Sequence, residues 1–154
     1  MFSTSYIELS KTALSKNLRF LKRQFGPNVL FSSVIKGNAY GHKIEIFVPL
    51  AEENGIRHFS AFSAEEALRV HNSRQNSGSD IMIMGDIDNE ALEWAIENKI
   101  AFYIFNFDRL EQAERIARRL GQPARVHLEL ETGLNRTGLD GDRKSTRLNS
   151  SHRL

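Results

Sequence analysis

The stretch VIKGNAYGHK, residues 34–43, sets a primary amine, Lys36, at the end of an apolar run. Gly37, Asn38, Tyr40, Gly41 and His42 follow at once. An amine held at the mouth of a sheet and partly desolvated can have a lowered pKa and act as a nucleophile toward a carbonyl. The two glycines let the backbone approach a ligand closely or take positive φ. Tyr40 offers a ring to stack and a hydroxyl to donate. A G-x-x-x-x-G-K-[ST] phosphate loop is excluded, because only three residues separate Gly37 from Gly41. A lysine just past a strand is by itself an ordinary solvated strand end; the residues around this one give it a chemical reading.

The elements that must position this amine are legible as alternating periods. Tyr6 to Leu9 reads as a short strand. Ser10 caps a helix with Leu14, Leu18, Leu21 and Phe25 on one face, stopped by Gly26-Pro27. Asn28 to Ile35 is a near-continuous apolar strand, as expected where both faces are covered. A helix is expected from about Phe47 to Asn54, with Pro49 in its first turn and Gly55 closing it. His58 to Phe62 is a strand, and Ser63 with Glu66 forms a capping box for a helix over 64–75. The strand Asp80 to Met84 precedes a helix capped by Asp88, with Leu92, Ala95 and Ile96 facing inward. Ala101 to Phe105 is a strand, and Asn106 caps a helix carrying Leu110, Ala113, Ala117 and Leu120. The last strand, Arg125 to Glu131, alternates Val126, Leu128 and Leu130 against Arg125, His127, Glu129 and Glu131. Strands recurring at roughly 20–30 residues with helices between them define an α/β fold with parallel strands. An open doubly wound sheet and a (β/α)8 barrel both fit, and both collect function at the C-terminal ends of their strands. Lys36 sits at such an end.

Composition narrows the class. The 154 residues are 40% hydrophobic and 26% charged, with no cysteine, so disulfides and thiolate metal sites are excluded. No apolar run is long enough to span a bilayer, and the N-terminus lacks the pattern of a signal peptide. These features fit a cytoplasmic protein with no membrane partner. The net charge of +2 comes from the tail, because residues 142–154 carry a net +3 and the rest a net −1. A nucleic-acid partner therefore has no support outside that tail. Asp142 to His152 resembles the translation of a sequencing-library adapter, so residues 142–154 are set aside as non-native and the natural protein is expected to continue beyond Gly141.

Two motifs carry a resemblance. VIKGNAYGH resembles the pyridoxal-phosphate lysine motif of the alanine racemases, which usually reads valine-lysine-alanine-asparagine-alanine-tyrosine-glycine-histidine-glycine. ELETGLNRTGL, residues 129–139, resembles the family's later motif of aspartate-threonine-glycine-methionine-asparagine-arginine followed by glycine. SAEEALRV (63–70) and DIMIMGDI (80–87) are similar to its intervening segments. The resemblance spans roughly residues 6–141. It implies a partial (β/α)8 TIM-type barrel with about five of eight βα units, residues 1–141 being its N-terminal part and a C-terminal β domain being absent. Tyr6 to Leu9 would belong with that β domain.

The resemblance further implies an isomerase that interconverts L- and D-alanine by two-base α-proton abstraction. Lys36 matches the lysine that binds pyridoxal 5′-phosphate and acts as base on one face. Tyr40 matches the tyrosine near the cofactor phosphate. Arg136 matches the arginine beside the cofactor phenolic oxygen and the substrate carboxylate. A homodimer and a role in supplying D-alanine for peptidoglycan precursors follow by the same analogy. Gly37, Lys43, Glu131 and Leu134 depart from the usual alanine, glycine, aspartate and methionine. Racemases of serine, lysine or ornithine and non-catalytic pyridoxal-phosphate carriers share the barrel type and stay open. The truncated chain is expected to be inactive and, with an open sheet edge, poorly soluble.

Other clusters read as structural. His127, Glu129 and Glu131 share a face but lack metal-ligand spacing, so no metal site is expected. His42 belongs to the turn, and Phe102, Tyr103, Phe105 and Phe107 are strand core plus helix start rather than a base-stacking surface.

Overall fold

The structure is a computed structural model that describes residues 5–139. The basic tail expected to be non-native lies outside the described residues. The chain divides into two compact units, one ending at Met84 and the other beginning at Gly85.

In the first unit, α1 (Lys11–Phe25) starts where the Ser10 hydroxyl accepts the Ala13 N–H at 3.2 Å. It ends at Gly26, whose φ of 84° is open to glycine alone without strain. β1 (Ser32–Val34), β2 (His58–Ala61) and β3 (Asp80–Ile83) run parallel in chain order. Between them lie α2 (Lys36–Tyr40), α3 (Ile44–Glu53) and α4 (Ala64–Ser73). The core is one apolar layer: Ile35, Phe59 and Ile83 from the strand side, with Val48 and Val70 from the helices, all fully buried. A buried carboxylate, Glu52, pins the 74–79 turn by accepting the Gln75 N–H at 2.7 Å and the Ser79 hydroxyl at 2.6 Å.

The second unit repeats the pattern. α5 (Asn89–Glu97) is capped by Asp88, whose Oδ1 accepts the Ala91 N–H at 2.7 Å. Leu92, Ala95 and Ile96 are its buried residues, on the face the periodicity gives. β4 (Ala101–Ile104) pairs in parallel with β5 (Val126–Leu128). α6 (Phe107–Leu120) is capped by Asn106 and closed by Gly121 in the left-handed region. Its buried residues are Ala113 and Ile116, whereas the expected Leu110, Ala117 and Leu120 are only half-buried.

Four expectations are corrected. Tyr6 to Leu9 forms no strand, and Tyr6 is 87% exposed. Among the described residues nothing pairs with that segment, so its alternation has no sheet to join. β1 and β5 are three residues each, far shorter than the apolar runs suggest. Val29, Leu30, Val126, Leu128 and Leu130 stand exposed, because β1 pairs only with β2 and β5 only with β4 in their units. α3 starts three residues earlier than expected, so Pro49 lies inside the helix rather than in its first turn. Finally, α1 buries none of its residues fully, and Phe25 is exposed.

The contrast between core and open edge is measurable. Leu92→Ala should cost about 2–5 kcal/mol in urea unfolding, as a fully buried leucine does. Leu130→Ser should change stability by no more than about 0.5 kcal/mol.

Candidate active site

Lys36 follows Ile35, which is fully buried and donates its N–H to the Ser60 carbonyl at 2.9 Å. The strand register therefore ends with the lysine turned out of the core, and its side chain is exposed. The chain then reverses its helical hand. Gly37, Asn38 and Ala39 sit at φ/ψ of 61°/43°, 56°/49° and 55°/46°, and Tyr40 has φ 53°. These are left-handed helical values. The turn closes with Gly41 N–H on the Gly37 carbonyl at 3.0 Å, while Ala39 N–H reaches the Ile35 carbonyl at 2.7 Å. Glycine at 37 takes this conformation freely, but each side-chain-bearing residue in it costs roughly 1–2 kcal/mol.

The anchors of this turn come from sequence-distant residues. Ala39 is buried, fixing its centre. The Glu66 carboxylate accepts the Asn38 N–H at 3.1 Å through Oε1 and the Phe62 N–H at 3.0 Å through Oε2. Asn38 Oδ1 in turn accepts the Ile44 N–H at 3.2 Å and an Arg69 N–H at 2.5 Å. The first of these bonds gives the first N–H of α3 an acceptor from outside the helix. Arg69 is itself held by two bonds to the Glu45 carboxylate, at 2.7 and 3.0 Å. The Arg69 guanidinium pulls the Glu45 carboxyl down from 4.5 to about 2. His42 stacks on Phe47 at 6.3 Å, consistent with its structural reading. Lys43, at φ 67°, occupies the place where the resembling motif has glycine.

Lys36, Gly37, Tyr40, Phe62, Ser63 and Glu66 line one cleft of about 450 Å³. Two of the three residues singled out from the sequence, Lys36 and Tyr40, are thus brought together in the first unit. Arg136 lies in the second unit, where its side chain is exposed and its N–H donates to Glu131 Oε2 at 3.3 Å. Glu131 also accepts the Gly133 N–H, and backbone donors from Gly133 to Arg136 hold its carboxyl below the usual range. Gly138 closes that loop, where an added Cβ would lie 2.6 Å from the Glu131 nitrogen. Sequence reading missed Glu45 and Arg69 entirely. It took Glu66 only as a capping residue, which it partly is: the Glu66 N–H donates to the Ser63 hydroxyl at 3.2 Å.

Parallel strands alternating with helices, with an amine displayed at the end of the first strand, define an α/β protein whose candidate site lies at the C-terminal ends of its strands. Comparison with known proteins narrows this. The family model "Alanine racemase, N-terminal domain" matches residues 9–149, running beyond the described residues. The chain belongs to the alanine racemase family. It is 37% identical over 139 residues to an alanine racemase of Leptospira interrogans, covering 90% of this chain and 35% of that protein. An alanine racemase structure from Clostridium difficile 630 superposes with a TM-score of 0.79 at 25% identity, over 90% of this chain and 36% of the other. A histidine racemase structure from Leuconostoc mesenteroides gives a TM-score of 0.76 at 25% identity, over 86% and 35%. The fold is therefore the leading part of a TIM-type barrel, and the chain spans about a third of the relatives it matches.

The Glu45–Arg69 pair predicts a pH window. Because the folded carboxyl titrates below its unfolded value of 4.5, the pair stabilises the fold above that value. Its contribution disappears as pH falls toward about 2. The stability difference between the unaltered protein and Glu45→Gln, followed by denaturant melts, should be full above pH 4.5, shrink as pH falls, and be lost once pH passes below about 2.

Proposed function

We propose that this chain is the N-terminal part of a pyridoxal-phosphate-dependent alanine racemase. The observation that carries the reading is the exposed Lys36 amine, set at the end of β1 by a left-handed turn and sharing a cleft with Tyr40. The donor set suits pyridoxal 5′-phosphate: a primary amine for its aldehyde and a phenol for its phosphate. Glu66, which also lines the cleft, accepts one backbone N–H on each carboxylate oxygen. The bound cofactor would supply an electron sink for the pair left behind when an α-proton departs.

Within this reading each residue has a task. Lys36 Nζ takes and returns the proton on one face of the substrate α-carbon, which requires its neutral form. Tyr40, which lines the same cleft, would donate its hydroxyl to a phosphate oxygen. By the resemblance, Arg136 would be the residue to hold the substrate carboxylate and the cofactor phenolic oxygen, a role that suits the guanidinium's paired N–H donors. By the same resemblance, a second base, the β domain and the remaining barrel strands would be supplied by sequence beyond Gly141. The natural protein would act as a cytoplasmic homodimer, and residues 142–154 would not be native to it. The 154-residue chain by itself would be inactive. Alanine is favoured over other amino acids by the names of the relatives, although the histidine racemase neighbour shows that this fold accepts a different substrate in another protein.

The test is borohydride trapping on the full-length protein with pyridoxal 5′-phosphate, followed by peptide mapping. The phosphopyridoxyl group should be recovered on residue 36 and be lost in Lys36→Ala. Undiminished labelling of the variant would contradict the assignment.

A further inference from the structure

The left-handed turn demands more restraint than its own hydrogen bonds provide. Asn38, Ala39 and Tyr40 all carry side chains in a conformation that only glycine adopts freely. Such backbone persists where the surroundings over-determine it. Here the restraint comes from one face of α4. Glu66 spans the exits of two neighbouring strands, holding Asn38 after β1 and Phe62 after β2 with a single carboxylate. One turn further along that helix, Arg69 holds the Asn38 side chain, and Glu45 fixes Arg69 from α3.

We propose that Glu66 and Arg69 are positioning residues that keep the Lys36 turn left-handed and so aim the lysine amine into its cleft. This rests on the assignment of Lys36 as the cofactor lysine. Neither residue is proposed to touch the reacting atoms. Glu66 acts through two backbone N–H groups, and Arg69 acts through the Asn38 amide. The geometry also separates their weights. Losing Glu66 strips an acceptor from two N–H groups at once, whereas losing Arg69 leaves Asn38 still bonded to the Ile44 N–H. Glu66 should therefore matter more.

Two readouts on the full-length protein test this. In the cofactor-free protein, amide exchange at Asn38 and Phe62 should speed up roughly tenfold or more in Glu66→Ala, the scale of a lost charge-assisted hydrogen bond. With pyridoxal 5′-phosphate added, the rate of borohydride-trappable attachment at residue 36 should fall by a similar factor. Arg69→Met should show a smaller fall in trapping rate, and Arg69→Lys should partly restore it. Thermal melting on the same samples separates aim from folding: the trapping loss should remain at temperatures where each variant is fully folded. If Glu66→Ala does not fold, Arg69→Met carries the same test with Glu66 intact. Attachment at the unaltered rate in these variants, or unchanged exchange at Asn38 and Phe62, would overturn the proposal. Failure of the unaltered protein to attach the cofactor at Lys36 would instead defeat the functional reading, and the exchange measurement would still report on the brace.

Discussion

The first unit depends on a carboxylate bridging two backbone amides. Parallel strands leave their C-terminal ends as separate exits, and each exit carries N–H groups that need an acceptor. Glu66 serves the exits of β1 and β2 together. The consequence is a fixed relation between the turn after β1 and the start of α4. That relation holds the backbone of residues 37–40 in its left-handed form, while the strand register of Ile35 turns Lys36 outward and the Asn38 side chain takes the first N–H of α3. A functional lysine on a free loop would be mobile, whereas this one starts from a backbone that neighbouring helices define.

The second unit solves a similar problem by the same means. The loop carrying Arg136 is gathered around the Glu131 carboxylate, and it returns to pair Leu139 beside Leu130. The Glu131 N–H donates to the Leu139 carbonyl at 3.0 Å, and the Leu139 N–H to the Glu129 carbonyl at 2.7 Å. In both units a glutamate takes up backbone donors next to a residue with a chemical assignment. Both carboxylates are thus spent on backbone.

Much of this was legible beforehand. Capping residues Ser10, Ser63, Asp88 and Asn106 all accept the N–H groups expected of them, because capping is local chemistry. The lysine motif and the arginine loop were visible as well. What could not be read was non-local. Glu66 has the spacing of a capping box, yet its carboxylate reaches Asn38, 28 residues away in sequence. The Asn38–Arg69 bond spans 31 residues and leaves no periodic trace. Strand lengths failed for a related reason: Val29 and Leu30 are apolar enough for a strand, but pairing requires a neighbour, and β1 has one on a single side within its unit. Tyr6 to Leu9 failed likewise.

The central claim is that a left-handed turn, held by Glu66, presents Lys36. Positive φ produces a strong NMR cross-peak between a residue's own amide and α-protons, so residues 38–40 report directly on the turn. Strong intraresidue cross-peaks are expected at Asn38, Ala39 and Tyr40, weakening in Glu66→Ala as the turn relaxes. Right-handed signals at those residues in the unaltered protein, or left-handed signals that survive loss of Glu66, would contradict it.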